Sequence, residues 1–254
     1  MDKQGKPLRN HILHSDTRAI KEWEELKKIL GENQIYKITG NRIDPRSSIP
    51  KIMWIRKNEE EIYKKTYKFL QAKDYITYKL TGTLGITDYS DASHSVLFDI
   101  NKRRWSEILL EASKIDKEKL PEIHSSADII GYLGKQQAEE LGLLSGIPVV
   151  AGGGDGACAS AGTGVVKKGE SYTYLGSTAW ITTILDEPFI DSQMRVFNII
   201  SLDSNKCGVY GTIQTAGTSY QWLRKLLGRN SYEELNKLAE KLLRAVKDFF
   251  SSHI

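Results

Sequence analysis

Two cysteines, Cys158 and Cys207, are the only thiols in 254 residues. They stand far apart and fit no metal-ligand spacing, so a disulfide framework is excluded and a reducing compartment is expected. Histidine is scarce as well. Of five, only His11 and His14 share a helical spacing, and no carboxylate or cysteine is placed to complete a tetrahedral set, so no protein-only metal site is predicted. Long apolar runs are missing: none approaches the roughly 20 residues that a bilayer span requires. The start, Met1-Asp-Lys-Gln-Gly-Lys6, has no apolar core of a secretory signal. A cytoplasmic chain without a membrane partner is the expectation. Charge of one sign is in short supply too, because 36 basic residues face 32 acidic ones for a net +4. The signs interleave, as in 56–65, in the manner of a solvated surface, which argues against nucleic acid as a partner.

What is present is a globular composition. With 40% hydrophobic and 27% charged residues, the chain can bury at least one good core. Within Thr17 to Leu30, the residues Ile20, Trp23, Leu26, Ile29 and Leu30 recur at three and four, which predicts an amphipathic helix capped by Asp16 or Thr17 and stopped by Gly31. A loop follows, with Asp44, Pro45 and Pro50 breaking the period, until Lys51-Ile-Met-Trp-Ile55 opens an interrupted helix toward Phe69. Asp74 to Leu80 reads as a short helix ended by Thr81-Gly82, and Trp105, Ile108, Leu109 and Ala112 mark another before Pro121.

From Ile147 the pattern changes. Ile-Pro-Val-Val-Ala151 is a continuous apolar run of the kind a strand buried on both faces requires, and the glycines after it lead into the small-residue stretch Ala157 to Val165. The unit is strand, tight turn, helix. The stretches 172–175, 179–185, 196–202 and 208–213 then read as a strand meander, and 216–227 and 232–246 as helices, the second opened by the capping-box spacing Ser231 to Glu234. This order predicts an α/β protein with a domain boundary near 165–169.

One carboxylate stands out. Asp155, in Gly152-Gly-Gly-Asp-Gly156, follows a strand and precedes a helix, where α/β sheets present ligands. Phosphoryl transfer to an alcohol needs a carboxylate to accept the hydroxyl proton and amides to hold phosphate oxygens. Asp155 suits the first task, and it equally suits capping the helix from Gly156. Gly152, Gly154 and Ala157 also satisfy the dinucleotide spacing, but no acidic residue ends a second strand about 20 residues on. Leu175-Gly-Ser-Thr178 reads as an anion-binding concavity or as an ordinary hairpin turn. Thr215 to Trp222 joins a strand end to a helix start, as a phosphate site or as a plain cap with Trp222 in the core.

Taken together, these segments resemble the FGGY carbohydrate kinases, most closely the xylulokinase-like members. The resemblance rests on motifs in one order: Gly5-Lys-Pro-Leu-Arg9 with Ser15-Asp-Thr-Arg18; Pro50-Lys-Ile-Met-Trp-Ile55; Lys73-Asp-Tyr-Ile-Thr-Tyr-Lys-Leu-Thr-Gly82; Asp88-Tyr-Ser-Asp-Ala-Ser93 with Leu97-Phe-Asp99; Pro148 to Gly156; Leu175 to Thr178; and Ala216 to Leu223. Each is weak alone, and their register across about 220 residues carries the inference.

The resemblance implies an actin-like ATPase (ribonuclease H-like) fold: the latter part of the first domain in 1–166 and the beginning of the second in 167–254. It implies transfer of the ATP γ-phosphate to a sugar hydroxyl, with Mg²⁺ carried by the nucleotide. Asp155 takes the place of the general base, with Gly154, His14, Asp16 and Arg46 on the sugar side. Gly176, Ser177 and Thr178 take the place of the phosphate turn, and Gly217 and Gln221 that of nucleotide contacts. His14 stands where similar kinases often carry Trp, and Arg46 where glycerol-type members place an aromatic residue, which points from glycerol toward a polyhydroxylated sugar such as D-xylulose. Gluconate, ribulose and glycerol remain as alternative substrates. The family's Asp-Gly-Thr phosphate loop, Met-His-Gly motif and Gly-rich adenosine segment are not in this sequence, and Leu243 to Ile254 leave the family pattern. A frameshifted gene, a split gene or a deliberate truncation would each explain that ending, and little activity is expected of this chain alone. A non-catalytic remnant that associates, as a homodimer or with another chain, through an exposed sheet edge is the rival expectation.

Overall fold

In the computed structural model, residues 1–228 and 231–241 are described. The last residues of the predicted 232–246 helix lie outside them. The chain divides into two compact units, one of residues 1–172 with 182–211, the other of 173–181 with the described residues from 212 onward.

The first unit opens with helices. α1 (Ile20–Leu30) starts later than the caps Asp16 and Thr17 predict, because the Asp16 carboxylate is engaged by Arg18 and not by the helix amides. Gly31 stops it as expected, with φ +77°. The expected loop instead begins with α2 (Glu32–Thr39), which packs Ile35 and Tyr36 inward and ends on left-handed Gly40. α3 (Ser48–Asn58) starts before Lys51. Its Pro50 lies in the first turn, where a missing N–H costs nothing. A break at Glu59 separates α4 (Glu60–Lys65), and the helix toward Phe69 ends there. α5 (Ala72–Thr81) begins at a capping box between Gln71 and Asp74.

Short pieces follow: β1 (Ile86–Asp88), α6 (Tyr89–His94), β2 (Phe98–Asp99), β3 (Arg104–Trp105), α7 (Glu107–Ser113), β4 (Glu122–His124), β5 (Ile129–Tyr132) and α8 (Lys135–Leu141). Leu26, Ile35, Ile49, Met53 and Leu109 meet in the main core. Phe98, Ile100, Ile200 and Cys207 form a second one. β1 pairs in parallel with β4, while β5 pairs antiparallel with β6 (Pro148–Val150). The expectation of burial on both faces fails for this last strand. Val150 is 45% exposed, because β6 has one strand neighbour and packs its other side on α5.

α9 (Asp155–Gly162) completes the strand, turn, helix unit. β7 (Ser171–Leu175), β8 (Ala179–Leu185), β9 (Phe197–Ile200) and β10 (Cys207–Ile213) fall where the sequence places them. Their order is β7-β8-β10-β9, not a meander. β9 takes the edge because buried Asn198 binds Asn41 and Gly40: its N–H donates to Asn41 Oδ1 at 3.1 Å, and its Nδ2 to the Gly40 carbonyl at 2.8 Å. α10 (Gly217–Leu226) and α11 (Tyr232–Lys241) follow, the latter capped by Ser231 Oγ accepting from the Glu233 amide at 3.1 Å.

Candidate active site

Asp155 stands where β6 gives way to α9. Gly154 is the helix cap and Asp155 the first helical residue, so the predicted cap lies one residue earlier. Its Oδ1 accepts from the Gly156 amide at 2.7 Å, and the side chain is otherwise exposed. A carboxylate there is favoured by the helix N-terminus. The first turn behind it is anchored from β10, where the Tyr210 hydroxyl donates to the Gly156 carbonyl at 3.1 Å. Burial pushes that phenol up to about 12.

The turn before Asp155 needs its glycines. Gly152 has φ +71°, and a Cβ on Gly154 would lie 2.8 Å from Asp91 Oδ1. Under this turn sits a cluster of buried charge. Lys73 Nζ donates to Asp74 Oδ1 at 2.9 Å and to the Ala151 carbonyl at 3.0 Å, and pairs with Asp88 at 3.2 Å and Asp91 at 3.6 Å. Asp88 Oδ2 accepts from Ser90 Oγ at 2.5 Å and from Ser126 Oγ at 2.8 Å. Ser90 Oγ in turn accepts from the Gly154 amide at 2.8 Å, and the Ser126 carbonyl from the Gly152 amide at 3.0 Å. Burial, aided by Asp88 and Asp74 against the pull of Lys73, raises Asp91 to about 6.

A second polar group lies on the same unit. Arg18 grips Asp16 through Nε and Nη2, at 3.0 and 2.7 Å, and holds it down at about 2. Arg46 grips Asp44 in the same way, with Nη2 to Oδ2 at 2.6 Å. Lys51 lies beside both pairs, and its Nζ donates to the Leu13 and His14 carbonyls at 2.8 and 3.1 Å. His94, at the end of α6, ties this group to the catalytic candidate. Its ring is exposed, the protein around it lowers its basicity, and Asp155, His14 and Asp44 all act on it. His14 thus shares the surroundings of His94 with Asp155, while Asp16 and Arg46 stand with Asp44 around Lys51.

The second unit brings together the phosphate-side candidates. The Gly176 carbonyl accepts from the Gly217 amide at 2.9 Å, and the Ser177 carbonyl from the Ala216 and Thr218 amides at 2.9 and 3.3 Å. A Cβ on Gly217 would sit 2.4 Å from the Gly176 carbonyl oxygen, so this approach requires glycine. Gln221 is exposed on α10, and Trp222 is 62% exposed, not core. The amides of 216–218 are spent on the turn, and its side-chain donors are the hydroxyls of Ser177 and Thr178.

Several residues here carried no predicted role. Lys73, Asp74, Asp88, Ser90 and Asp91 appeared only as letters in motifs, and Lys51, Ser126 and His94 in none of the predicted sites. The available signal was local: a Lys-Asp pair in a helix first turn, and Asp-x-Ser-Asp after a strand. Among the described residues no set of His, Cys, Asp or Glu gathers into a metal site, and no helix is long and apolar enough to cross a membrane.

Comparison with known proteins gives the family. The profile of the FGGY family of carbohydrate kinases, N-terminal domain, matches residues 1–162. A xylulose kinase of Staphylococcus xylosus is 34% identical over 227 residues, 89% of this chain and 47% of that protein. A gluconokinase of Bacillus licheniformis is 29% identical, over 95% of this chain and 49% of its own length. The crystal structure of a xylulose kinase from Brucella ovis superposes with a TM-score of 0.84 at 28% identity, over 96% of this chain and 50% of that one. That of Plasmodium falciparum glycerol kinase with ADP gives 0.85 at 26%, over 95% and 49%. The chain spans about half the length of the curated relatives it matches.

Proposed function

Because this chain belongs to the FGGY family of carbohydrate kinases, with their actin-like, ribonuclease H-like fold, we propose that it forms the sugar-binding side of a site transferring the ATP γ-phosphate to a sugar hydroxyl. The observation that carries this reading is Asp155: an exposed carboxylate between a strand end and a helix start, whose side chain accepts from the Gly156 amide and acts on His94 together with His14 and Asp44.

Asp155 is the proton acceptor in this reading. An exposed carboxylate in this position accepts the hydroxyl proton as the oxygen attacks phosphorus. His14, Asp16 and Arg46, with Gly154, orient the sugar. Residues 1–166 are then the latter part of the sugar-side domain and 167–254 the start of the nucleotide-side domain. In the second unit Ser177 and Thr178 would meet phosphate oxygens, with Gly176, Gly217 and Gln221 lining the nucleotide. Bound ATP·Mg²⁺ supplies the phosphoryl group and neutralises its charge, the metal arriving with the nucleotide. A pentulose such as D-xylulose fits a wall of ion pairs better than glycerol does, and the xylulose kinases among the relatives support that choice.

Calorimetry on this chain tests the sugar. D-xylulose is expected to bind more tightly than D-gluconate or glycerol, and binding of none of them would overturn the reading. In a coupled assay of ATP consumption, Asp155→Asn is expected to remove about 10²–10⁴-fold of any phosphorylation that the unaltered chain supports, with sugar binding kept.

A further inference from the structure

The charge cluster under the glycine turn takes no direct part in that chemistry, yet it holds the main chain leading to Asp155. Three main-chain groups end on it. The Ala151 carbonyl accepts from Lys73, the Gly154 amide donates to Ser90, and the Gly152 amide donates to Ser126, whose hydroxyl, like that of Ser90, donates to Asp88. Asp155 is exposed, and among the described residues its carboxylate has the Gly156 amide as its hydrogen-bond partner. Its position is therefore inherited from its main chain.

Lys73 is the centre of the arrangement. The Asp74 and Asp88 side chains it pairs with are fully buried, and its own is 22% exposed. Buried carboxylates are tolerated only when paired and hydrogen-bonded, and removing one partner leaves an uncompensated charge. Without Lys73, the carboxylates of α5 and α6 would repel each other directly beneath the turn. We propose that Lys73, acting through Asp88, Ser90 and the Ala151 carbonyl, is a positioning residue for the Asp155 carboxylate, an inference that rests on Asp155 being the proton acceptor.

One ammonium faces three carboxylates here, and burial raises the pKa of both Asp74 and Asp91, that of Asp91 to about 6. The groups that face Asp91 are Lys73 and Asp74 from α5 and Asp88 from the end of β1. Its titration reports whether Lys73 acts by charge.

The test uses this chain, isotope-labelled for NMR, with Lys73→Met and Ser90→Ala. In Lys73→Met, the Gly152 and Gly154 amides are expected to exchange at least about tenfold faster, the Asp91 midpoint to rise by about a unit or more, and D-xylulose to bind about tenfold more weakly. A folded Lys73→Met chain with unchanged exchange, midpoint and sugar affinity overturns the proposal. If that variant fails to fold, Ser90→Ala decides: faster exchange at Gly154 but not at Gly152 supports it, and unchanged exchange at Gly154 overturns it. Should the unaltered chain give no response to D-xylulose while Lys73→Met still frees both amides, the sugar-site reading falls and the anchoring of the turn stands.

Discussion

Two glycine turns of this chain look alike in sequence and are held by different means. Gly152-Gly-Gly154 is held mainly by side chains from distant segments, Lys73 on the Ala151 carbonyl and Ser90 on the Gly154 amide, with the Ser126 carbonyl taking the Gly152 amide. Gly176-Ser-Thr178 rests, among the described residues, on main-chain bonds from Ala216, Gly217 and Thr218. A turn held by side chains is vulnerable to substitutions far from it in sequence. One held by backbone is vulnerable only where a side chain would intrude. The first unit thus carries its site on buried charge, which costs solvation and fixes geometry, while the second carries its turn on close approach.

The contrast is open to attack from both sides. The largest effect is expected for Asp88→Ala, which strips Lys73 of a fully buried partner and Ser90 and Ser126 of their acceptor; it should cost about 3–5 kcal/mol in denaturant unfolding. A loss below about 1 kcal/mol would mean that the first turn does not depend on the cluster. Gly217→Ala should cost about 1–3 kcal/mol, because its methyl meets the Gly176 carbonyl, whereas Ser177→Ala in the same turn should change stability by less than about 0.5 kcal/mol. Equal effects of the two would contradict a turn held by backbone.

The pH dependence sharpens the first half of the comparison. Burial raises the Asp91 pKa in the fold to about 6 from an ordinary value of 3.8, so that its carboxyl is a weaker acid there. Protonation therefore favours the folded chain: the contribution is fully present below pH 3.8 and is lost as pH rises through about 6. Asp91→Asn removes that loss, so its stability relative to the unaltered chain should improve between pH 4 and 7 by about 1–3 kcal/mol. His94 titrates in both proteins and cancels in the difference. A flat difference would place Asp91 outside the cluster's electrostatics. The smallest effect is expected for Asp155→Asn. Its stability should stay within about 0.5 kcal/mol, while the His94 imidazole, deprived of a nearby negative charge, should titrate at lower pH by NMR.

Much of this was legible in the chain. The strand, glycine turn and helix around Asp155 follow from an apolar run, three glycines and small residues, each acting locally. Gly31 and Gly82 stop helices where their left-handed backbone requires it. The start of α1 was misjudged because Asp16 had two offers, the helix amides and Arg18, and a bidentate guanidinium outcompetes a cap. The apolar β6 was expected to be buried because hydrophobic pattern reports what a strand is able to bury, not what lies against it. Trp222, a core residue only in the plain-cap reading of 215–222, is exposed.

By itself, then, the sequence determined the local pieces: where helices stop, where the turn must be glycine, and which carboxylate follows it, since these depend on backbone sterics and nearest neighbours. Only the tertiary structure decided which distant groups share one dielectric environment. Lys73 meets Ala151 across 78 residues, and Ser90 meets Gly154 across 64. Such pairings depend on how α5, α6 and the end of β6 pack, and no periodicity encodes the acidity of Asp91 or the support beneath Asp155.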